Sequence, residues 1–278
     1  QLMKSLYVVL LCLSSLQVGA QYIYGSISSG YQLNSKIDQA PSYLVNTIQQ
    51  VTLPWLWGQE NYAFKSSSLA ELHFGHMLTP SIGYELTGAY LKPMAIADNP
   101  YFGQKIMSGD FYQAAAKLVL DLPYKKFDLY TKIGFNIANG RITYLQTIED
   151  GNFNSFGVAE ALLNYTYQSP VSFGFNGAVG VNVPLTKKCS FFTELRFTSQ
   201  TLTPKSGQVS QYTLNGSDLT ANLYPYYAQI AFGDESEWLN YTSDDLSQAQ
   251  KLYKRSYALG GYSCNVGVRV VLSHLHSK

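Results

Sequence analysis

The chain has 278 residues, a formal net charge of +1 and 23 tyrosines. Charged residues make up only 13%, about half the usual globular share, and so neutral a chain gives no general reason to expect nucleic-acid binding. After the first 20 residues no apolar segment is long enough, at about 20 residues, for a membrane-spanning helix. Low charge with many aromatic residues instead suits a wall that faces lipid, with aromatic belts at its rims.

The first 20 residues predict a signal peptide. They include a short upstream extension, Gln1 and Leu2, before the apparent start at Met3. A single lysine makes a short basic region, residues 6–13 are an apolar run, and small residues precede a cleavage site between Ala20 and Gln21. We expect export and cleavage at this site. The remainder, residues 21–278, is expected to form one domain.

The clearest alternation along the chain lies between Val171 and Phe197. From Val171 to Leu185 every second residue is apolar or glycine, and the residues between them from Ser172 to Asn182 are Ser, Gly, Ala and Asn. A period of two predicts a β-strand. In a soluble sandwich the polar face would carry Lys and Glu to solvent, whereas these small uncharged side chains suit a crowded interior. The pattern therefore predicts a transmembrane barrel wall, apolar outside and polar inside, with a soluble β-hairpin as the alternative.

The same alternation recurs along the chain and predicts eight strands. They are expected at about 22–33, 66–78, 82–91, 110–122, 127–138, 171–185, 189–197 and 257–272. Short turns at 79–81, 123–126 and 186–188 alternate with long connections at 34–63, 92–108, 139–167 and 204–254. Within 139–167 the prediction allows strands to extend beyond the membrane. This layout predicts an all-β fold, a closed antiparallel transmembrane β-barrel with short periplasmic turns and long extracellular loops. Ten strands are the alternative, if a long loop contains a further hairpin.

The positions that face the lumen in this scheme hold the only concentrated set of titratable side chains. They are Glu71, His73, Glu85, Lys117, Asp121, Asp128, Lys132, Glu194, Arg196 and Arg269. An eight-stranded barrel is just wide enough to be filled by side chains, and isolated charges inside it are costly unless they pair. We therefore expect a packed salt-bridge network that closes the lumen. A narrow ion path and an acid–base catalytic dyad are the alternatives.

Histidine, serine and acidic residues do not match the patterns of enzymatic barrels. Lipid A deacylases of this shape use a His and a Ser on one outward face, but His73 and His76 have opposite parity along their strand. Omptin-like proteases carry acids and a His high on the barrel, whereas Asp244 and Asp245 have no loop histidine beside them. The sequence shows no Gly-rich phosphate loop or metal-ligand cluster. We predict a protein that is not an enzyme and needs no cofactor or metal.

The chain resembles the small outer-membrane β-barrels of Gram-negative bacteria, the OmpA-type and OmpX-type barrels. Gln21 after the cleavage site, the motif Gly83-Tyr-Glu-Leu86 after a proline turn, and the ending Asn265-Val-Gly-Val-Arg-Val-Val-Leu272 are similar to the versions found in Bacteroidota. The resemblance covers about residues 21–273 and implies a barrel architecture. Its motifs carry little information about function.

Aromatic residues also occur in the predicted long loops, at Trp55, Trp57, Tyr224, Tyr226, Tyr227 and Trp238. Tyr and Trp supply rigid, amphipathic contact area. We predict a non-enzymatic barrel that is structural or binds a partner through these loops, including as a subunit of a larger outer-membrane complex. Its expected partners are outer-membrane lipid and other outer-membrane or cell-surface proteins. A small-solute porin or channel is the alternative, and packing of the aromatics within the loops is the alternative to partner contact.

Overall fold

A computed structural model describes residues 21–34, 64, 66–98, 104–124, 126–149, 160–233, 246–253 and 256–275. The strands are β1 (Gln21–Asn34), β2 (Ser66–Met77), β3 (Ile82–Pro93), β4 (Ile96–Asp98), β5 (Gln104–Tyr124), β6 (Phe127–Glu149), β7 (Glu160–Pro184), β8 (Cys189–Leu202), β9 (Ser206–Leu214), β10 (Ser217–Asp218), β11 (Gln229–Gly233), β12 (Gln250–Tyr253), β13 (Tyr257–Ala258) and β14 (Gly261–Leu275). The predicted signal peptide and all but Asn34 of the predicted loop at 34–63 lie outside the described residues.

Eight of these strands form a closed antiparallel ring. The order around the ring is β1, β2, β3, β5, β6, β7, β8 and β14, and β14 closes it by pairing with β1 from Gln21↔Leu275 to Asn34↔Gly261. Closure leaves the barrel without a free sheet edge. The predicted eight-stranded transmembrane barrel is confirmed.

The two ends of the barrel differ in the length of their connections. At one end, here called the short-turn rim, residues 78–81 and 185–188 make tight turns in which Leu78 donates to the Ile82 carbonyl and Leu185 to the Cys189 carbonyl. The short connection between Tyr124 and Phe127 lies at the same end. The other end, the long-loop rim, carries the connections from β1 to β2, from β3 to β5, from β6 to β7 and from β8 to β14. The predicted alternation of short and long connections is therefore present in the structure.

The outer wall between the rims is apolar. Outward side chains such as Phe173 and Phe135 are 81% and 76% exposed, and Leu72 and Leu195 are 67% and 62% exposed. So much exposed apolar surface is a liability in water but is the normal lipid face of a membrane barrel. No helix in the described residues is long and apolar enough to cross a membrane.

Several strands continue far beyond the bilayer at the long-loop rim. A tilted membrane strand needs about 9–11 residues, whereas β5, β6 and β7 have 21, 23 and 25 residues. The predicted loop at 92–108 is therefore wrong in part, because β3, β4 and β5 occupy most of it. In 139–167, where the prediction allows strands to extend beyond the membrane, β6 and β7 occupy most of the segment. The polarity is inverted there, with Ile142 and Tyr144 buried inside and Arg141 exposed outside. Outside the bilayer water covers the wall, so apolar side chains turn inward.

The predicted connection at 204–254 contains a small folded unit, here called the lobe, made of residues 206–233 and 246–253 as described. In it β9 pairs with the end of β7, β11 pairs with β9, and β12 lies parallel to β11. A 3-10 turn, Thr220–Asn222, and a one-turn helix, α1 (Pro225–Ala228), join β10 to β11. The Thr220 hydroxyl and backbone N–H donate to the Asp218 carboxylate at 2.6 and 2.9 Å, which holds the pKa of that exposed carboxyl below its usual range. The lobe is thus an extension of the barrel wall.

Candidate functional site

The lumen is the place where the barrel gathers its titratable side chains. Alternation along each strand points them inward, and strand pairing sets their depth, as where Glu85 lies opposite Lys117 and Ser28 opposite Glu71. Nine of the ten residues predicted for this network are buried, and Asp128 is half-buried. Seven of the ten lie in one cluster, here called the ion-pair layer: Glu71, His73, Glu85, Lys117, Lys132, Glu194 and Arg196.

Arg196 joins two carboxylates in this layer. Its guanidinium donates to both oxygens of Glu71, at 2.7 Å from Nη2 to Oε2 with a second bond from Nη1 to Oε1. It also donates to Glu194 Oε1, at 3.0 Å from Nε and 2.6 Å from Nη2. Charge-assisted and bidentate bonds of this kind are the strong class of hydrogen bond. Arg196 therefore ties β8 to β2 across the lumen.

Glu85 is the second hub of the layer. Lys132 lies 3.0 Å from Glu85 Oε1 and 2.9 Å from Glu194 Oε2, and the Lys117 ammonium lies 3.6 Å from Glu85 Oε1. The Tyr24 hydroxyl donates to Glu85 Oε2 at 2.9 Å. Three carboxylates thus face two lysines and one arginine, so the fully buried charges balance before His73 is counted. This balance is what a low-dielectric interior requires.

His73 is held on both sides of its ring, in a constellation that the sequence did not predict. Its Nδ1 lies 3.1 Å from Glu85 Oε1, and its Nε2 lies 2.9 Å from the hydroxyl of Ser28. A serine, a histidine and a carboxylate in this order match the hydrogen-bond pattern of a hydrolase triad. A substrate could not reach this constellation, because Ser28 and His73 are each only 4% exposed. The Ser28 hydroxyl is also engaged, since it donates to the Glu71 carboxylate at 3.2 Å. We assign these residues a structural role in the layer.

Toward the short-turn rim, Arg269 is stacked on aromatic rings rather than paired with an acid. Its guanidinium carbon lies 4.4 Å from the Tyr24 ring centre, 5.3 Å from that of Tyr130 and 5.8 Å from that of Phe192. Cation–π contact of this kind is worth about 2 kcal/mol or more when it is desolvated. The structure brings neither Asp121 nor Asp128 into the ion-pair layer, and within the described residues no ion pair joins either of them to Arg269.

A second layer lies toward the long-loop rim and consists of amides. Gln113 and Asn136 each donate to the Gln200 side-chain oxygen at 2.5 Å, and Gln200 donates to the Ser172 hydroxyl at 3.0 Å. Between this layer and the ion pairs lies a gap of about 10 Å³, lined in part by Lys117 and Asn176, which is room for about one water molecule. The lumen at this depth is packed with polar side chains.

A third, apolar layer fills the barrel above the amides, at the ends of the predicted strands and in segments predicted as loops. Its buried members are Phe64, Leu69, Leu91, Met107, Phe111, Ile142, Tyr144, Leu163, Tyr165, Leu202, Val209, Ile230, Tyr257 and Leu259. Phe64 and Phe111 pack edge to face at 5.7 Å, and both side chains are fully buried. This layer is a hydrophobic core of the soluble kind, and it seals the part of the barrel that extends beyond the bilayer.

The predicted partner-contact residues differ in exposure, and three of them are not described by the structure. Trp55, Trp57 and Trp238 lie outside the described residues. Tyr224 and Tyr227, on and beside α1, are 60% and 40% exposed. The prediction that Tyr226 is a contact residue is wrong, because it is only 7% exposed. It packs edge to face on Tyr227 at 5.2 Å, which turns its ring into the lobe.

The described part of the chain contains no group of three or more His, Cys, Asp and Glu side chains placed to hold a metal ion. No protein-family model matches the sequence, and no curated protein matches it. Among solved structures, the chain is similar to the outer membrane protein OprG from Pseudomonas aeruginosa, with 11% identity and a TM-score of 0.44 over 94% of this chain and 97% of that one. It is also similar to Neisserial surface protein A, with 11% identity and a TM-score of 0.36 over 91% and 98% of the two chains. Likeness at this level carries no argument about function, and the fold assignment rests on the strand pairing.

Proposed function

We propose that this protein is a closed, non-enzymatic barrel of the bacterial outer membrane that serves as a scaffold for its long-loop rim. One observation carries the proposal: the lumen is filled at three successive depths, by the ion-pair layer, the amide layer and the apolar layer. A barrel built to pass solutes would leave one continuous polar path, as in wider porins. Each of these layers interrupts such a path.

The outer membrane is the location that suits this architecture. Spanning β-barrels bury every backbone hydrogen bond in a closed ring, and the apolar wall described above fits a hydrocarbon environment. The predicted signal peptide is consistent with export to that membrane. The mature protein is therefore expected to require detergent for extraction and to remain folded in it.

The rim is the working surface in this proposal. Tyr224, directly before α1, and Tyr227, on α1, present exposed rings, while the buried ring of Tyr226 packs against Tyr227. Exposed tyrosines on an ordered support are effective contact residues, because little side-chain entropy is lost when they are covered. The partner in this proposal is another outer-membrane or cell-surface protein, and the barrel is its membrane anchor or fellow subunit.

A small-solute channel is the second candidate, and one observation favours it. Within the described residues the Lys117 ammonium, the Asn176 side-chain oxygen and the Arg269 Nε have no hydrogen-bond partner in the protein. Polar groups of this kind are commonly hydrated, so water would enter the lumen beside them. Water beside three side chains does not make a continuous path through the apolar layer.

Single-channel recording in planar lipid bilayers distinguishes the two candidates. The closed scaffold predicts no steady conductance for the wild type, and none for the Arg196→Ala variant, because the amide and apolar layers still interrupt the path when the ion-pair layer is opened. Steady conductance of the wild type would refute the scaffold proposal in favour of a channel. Photo-crosslinking from position 224 in cells tests the rim, with position 187 on the short-turn rim as the matched control. Crosslinks from both positions alike would remove the argument for partner contact at the lobe.

A further inference from the structure

The outer wall has a groove that the scaffold role does not use. It spans β14, β1, β2, β3 and β5 and has a volume of about 790 Å³, within the range of about 300–1,000 Å³ of pockets that hold small ligands. Its floor consists of small outward side chains, Ser29, Ala70 and Gly88. A Cβ atom added at Gly88 would meet nothing within 4 Å, which shows how open the space above the floor is.

The sides of the groove are large apolar side chains. Ile27 and Leu72, 61% and 67% exposed, stand beside the floor, and Leu72 lies opposite Gly88 in the β2–β3 pairing. Because this wall faces lipid, the groove is a hollow that hydrocarbon must fill. An acyl chain lying in it gains dispersion contacts on several sides, whereas a chain on the convex wall has contacts on one side only.

A polar ladder continues from the groove toward the long-loop rim. Tyr90 and Tyr112 form its next level, with ring centres 5.4 Å apart, as expected of an interfacial aromatic belt. The Tyr90 hydroxyl donates to Asp110 at 2.6 Å. Lys92 lies 2.7 Å from the same carboxylate, and its side chain is 48% exposed.

Arg141 completes the charged level above the tyrosines. Its Nε lies 3.7 Å from the second oxygen of Asp110, and its side chain is 66% exposed. Asp110 neutralises one of the two cations, so this level keeps one net positive charge. From Gly88 to Lys92 the strand rises about 13 Å, at ~3.3 Å per residue. The small residues of the floor, the tyrosine belt and the cationic level therefore follow one another along the wall. A membrane lipid presents its acyl chain, its interfacial region and its phosphate in the same order.

We propose that this groove binds one anionic, phosphate-bearing lipid, with an acyl chain over Gly88 and the phosphate at Lys92 and Arg141. The inference requires the barrel to lie in a membrane but is independent of whether its lumen conducts. Lipid retention and conductance are measured separately, so failure of one proposal is distinguishable from failure of the other.

Native mass spectrometry of the barrel, extracted by mild detergent from vesicles of equal parts phosphatidylglycerol and phosphatidylcholine, tests the proposal. We expect the wild type to retain one phosphatidylglycerol in preference to phosphatidylcholine. Gly88→Leu fills the groove and should lose that lipid. The matched control is Gly177→Leu, since Gly177 also faces outward and a Cβ atom there would meet only the Lys132 carbonyl, at 3.8 Å. This control should retain the lipid as the wild type does.

The charged level is tested by the double variant Lys92→Gln/Arg141→Gln. The variant removes both cations and leaves Asp110, so the net charge of this level changes from +1 to −1, which should lower the preference for phosphatidylglycerol about thirtyfold. Equal retention by Gly88→Leu and the wild type, or no preference for phosphatidylglycerol in the wild type, would overturn the proposal. A dimer that Gly88→Leu abolishes would assign the groove to a second copy of the chain and would overturn it as well. Each variant is first checked for folding by the mobility difference between unheated and boiled samples on a gel.

Discussion

Removal of Arg196 is the most informative single change in the lumen. In Arg196→Ala, Glu194 keeps the Lys132 ammonium at 2.9 Å. Glu71 loses its bidentate partner and keeps only neutral donors, Ser28 at 3.2 Å and Asn265 at 3.3 Å, with His73 at 3.6 Å. One buried carboxylate is thus left without a strong counter-charge, which typically costs about 3–5 kcal/mol.

The free energy of unfolding is measured by urea titration of the refolded barrel in lipid vesicles, followed by tryptophan fluorescence. The control on the same strand is Thr193→Ala, which faces lipid and loses only a 3.3 Å bond to the Asn265 carbonyl. We expect a cost of about 0.5–1.5 kcal/mol for that control, as for an ordinary hydrogen bond.

A second variant separates charge from packing. Arg196→Met/Glu71→Gln removes the cation and its carboxylate together, so no unpaired buried charge remains. We expect it to be more stable than Arg196→Ala alone, because replacing both partners costs less than stranding one. The reasoning fails if Arg196→Ala lies within 1 kcal/mol of the wild type, about the size of an ordinary hydrogen bond. It also fails if the double variant is no more stable than the single one.

The remaining predictions concern packing, access and topology. Gly180→Ala should destabilise the barrel by about 1–3 kcal/mol, since its Cβ would lie 2.3 Å from the Tyr130 ring, whereas Gly177→Ala should be nearly neutral in the same unfolding assay. A fluorophosphonate probe should not label Ser28 in the folded protein, and labelling detected by peptide mass spectrometry would contradict the structural assignment. The unheated protein should migrate faster than the boiled protein on a gel, and solubility as a monomer without detergent would exclude a membrane barrel. A cysteine placed at Lys187 should stay unlabelled by an impermeant maleimide on whole cells, and labelling there would reverse the proposed orientation.

The barrel and its inward charges are readable from the sequence, because a period of two assigns each side chain to one face. Once Val179 and Leu195 face lipid, Ala178, Glu194 and Arg196 must face the lumen, and an eight-stranded ring brings opposite walls within reach. The contact between Ser28 and His73 is not readable in this way. It depends on the register of β1 against β2, and a long connection separates those strands, so no turn type sets the register.

Two other features could not be predicted from the sequence, for physical reasons. Beyond the bilayer the wall of the barrel faces water, so Ile142 and Tyr144 of β6 point inward. A search for apolar residues that face lipid therefore does not recognise this part of β6 as a strand. On β6 the inward residues are even-numbered throughout, and only their polarity changes. The register shift between Ala138 and Gly140 in the β6–β7 pairing accompanies a change of phase on β7, where the buried residues are odd-numbered up to Ser169 and even-numbered from Asn176. The stacking of Arg269 depends on rings from β1, β6 and β8, and alternation along one strand carries no information about such a meeting of three strands.

The distribution of charge among the strands constrains the order in which the barrel can enter a membrane. β2 and β3 each carry one carboxylate of the ion-pair layer, β5 and β6 each carry one ammonium, and β8 carries both an acid and a base. The pair between Arg196 and Glu71 joins residues 125 positions apart, and β14 and β1 lie between their strands in the ring. The β7–β8 hairpin could insert with Arg196 paired to Glu194, but a β2–β3 or β5–β6 hairpin that inserted alone would take two charges of one sign into hydrocarbon. Assembly should therefore be concerted, with strands associating near the surface and crossing the bilayer together as the ring closes.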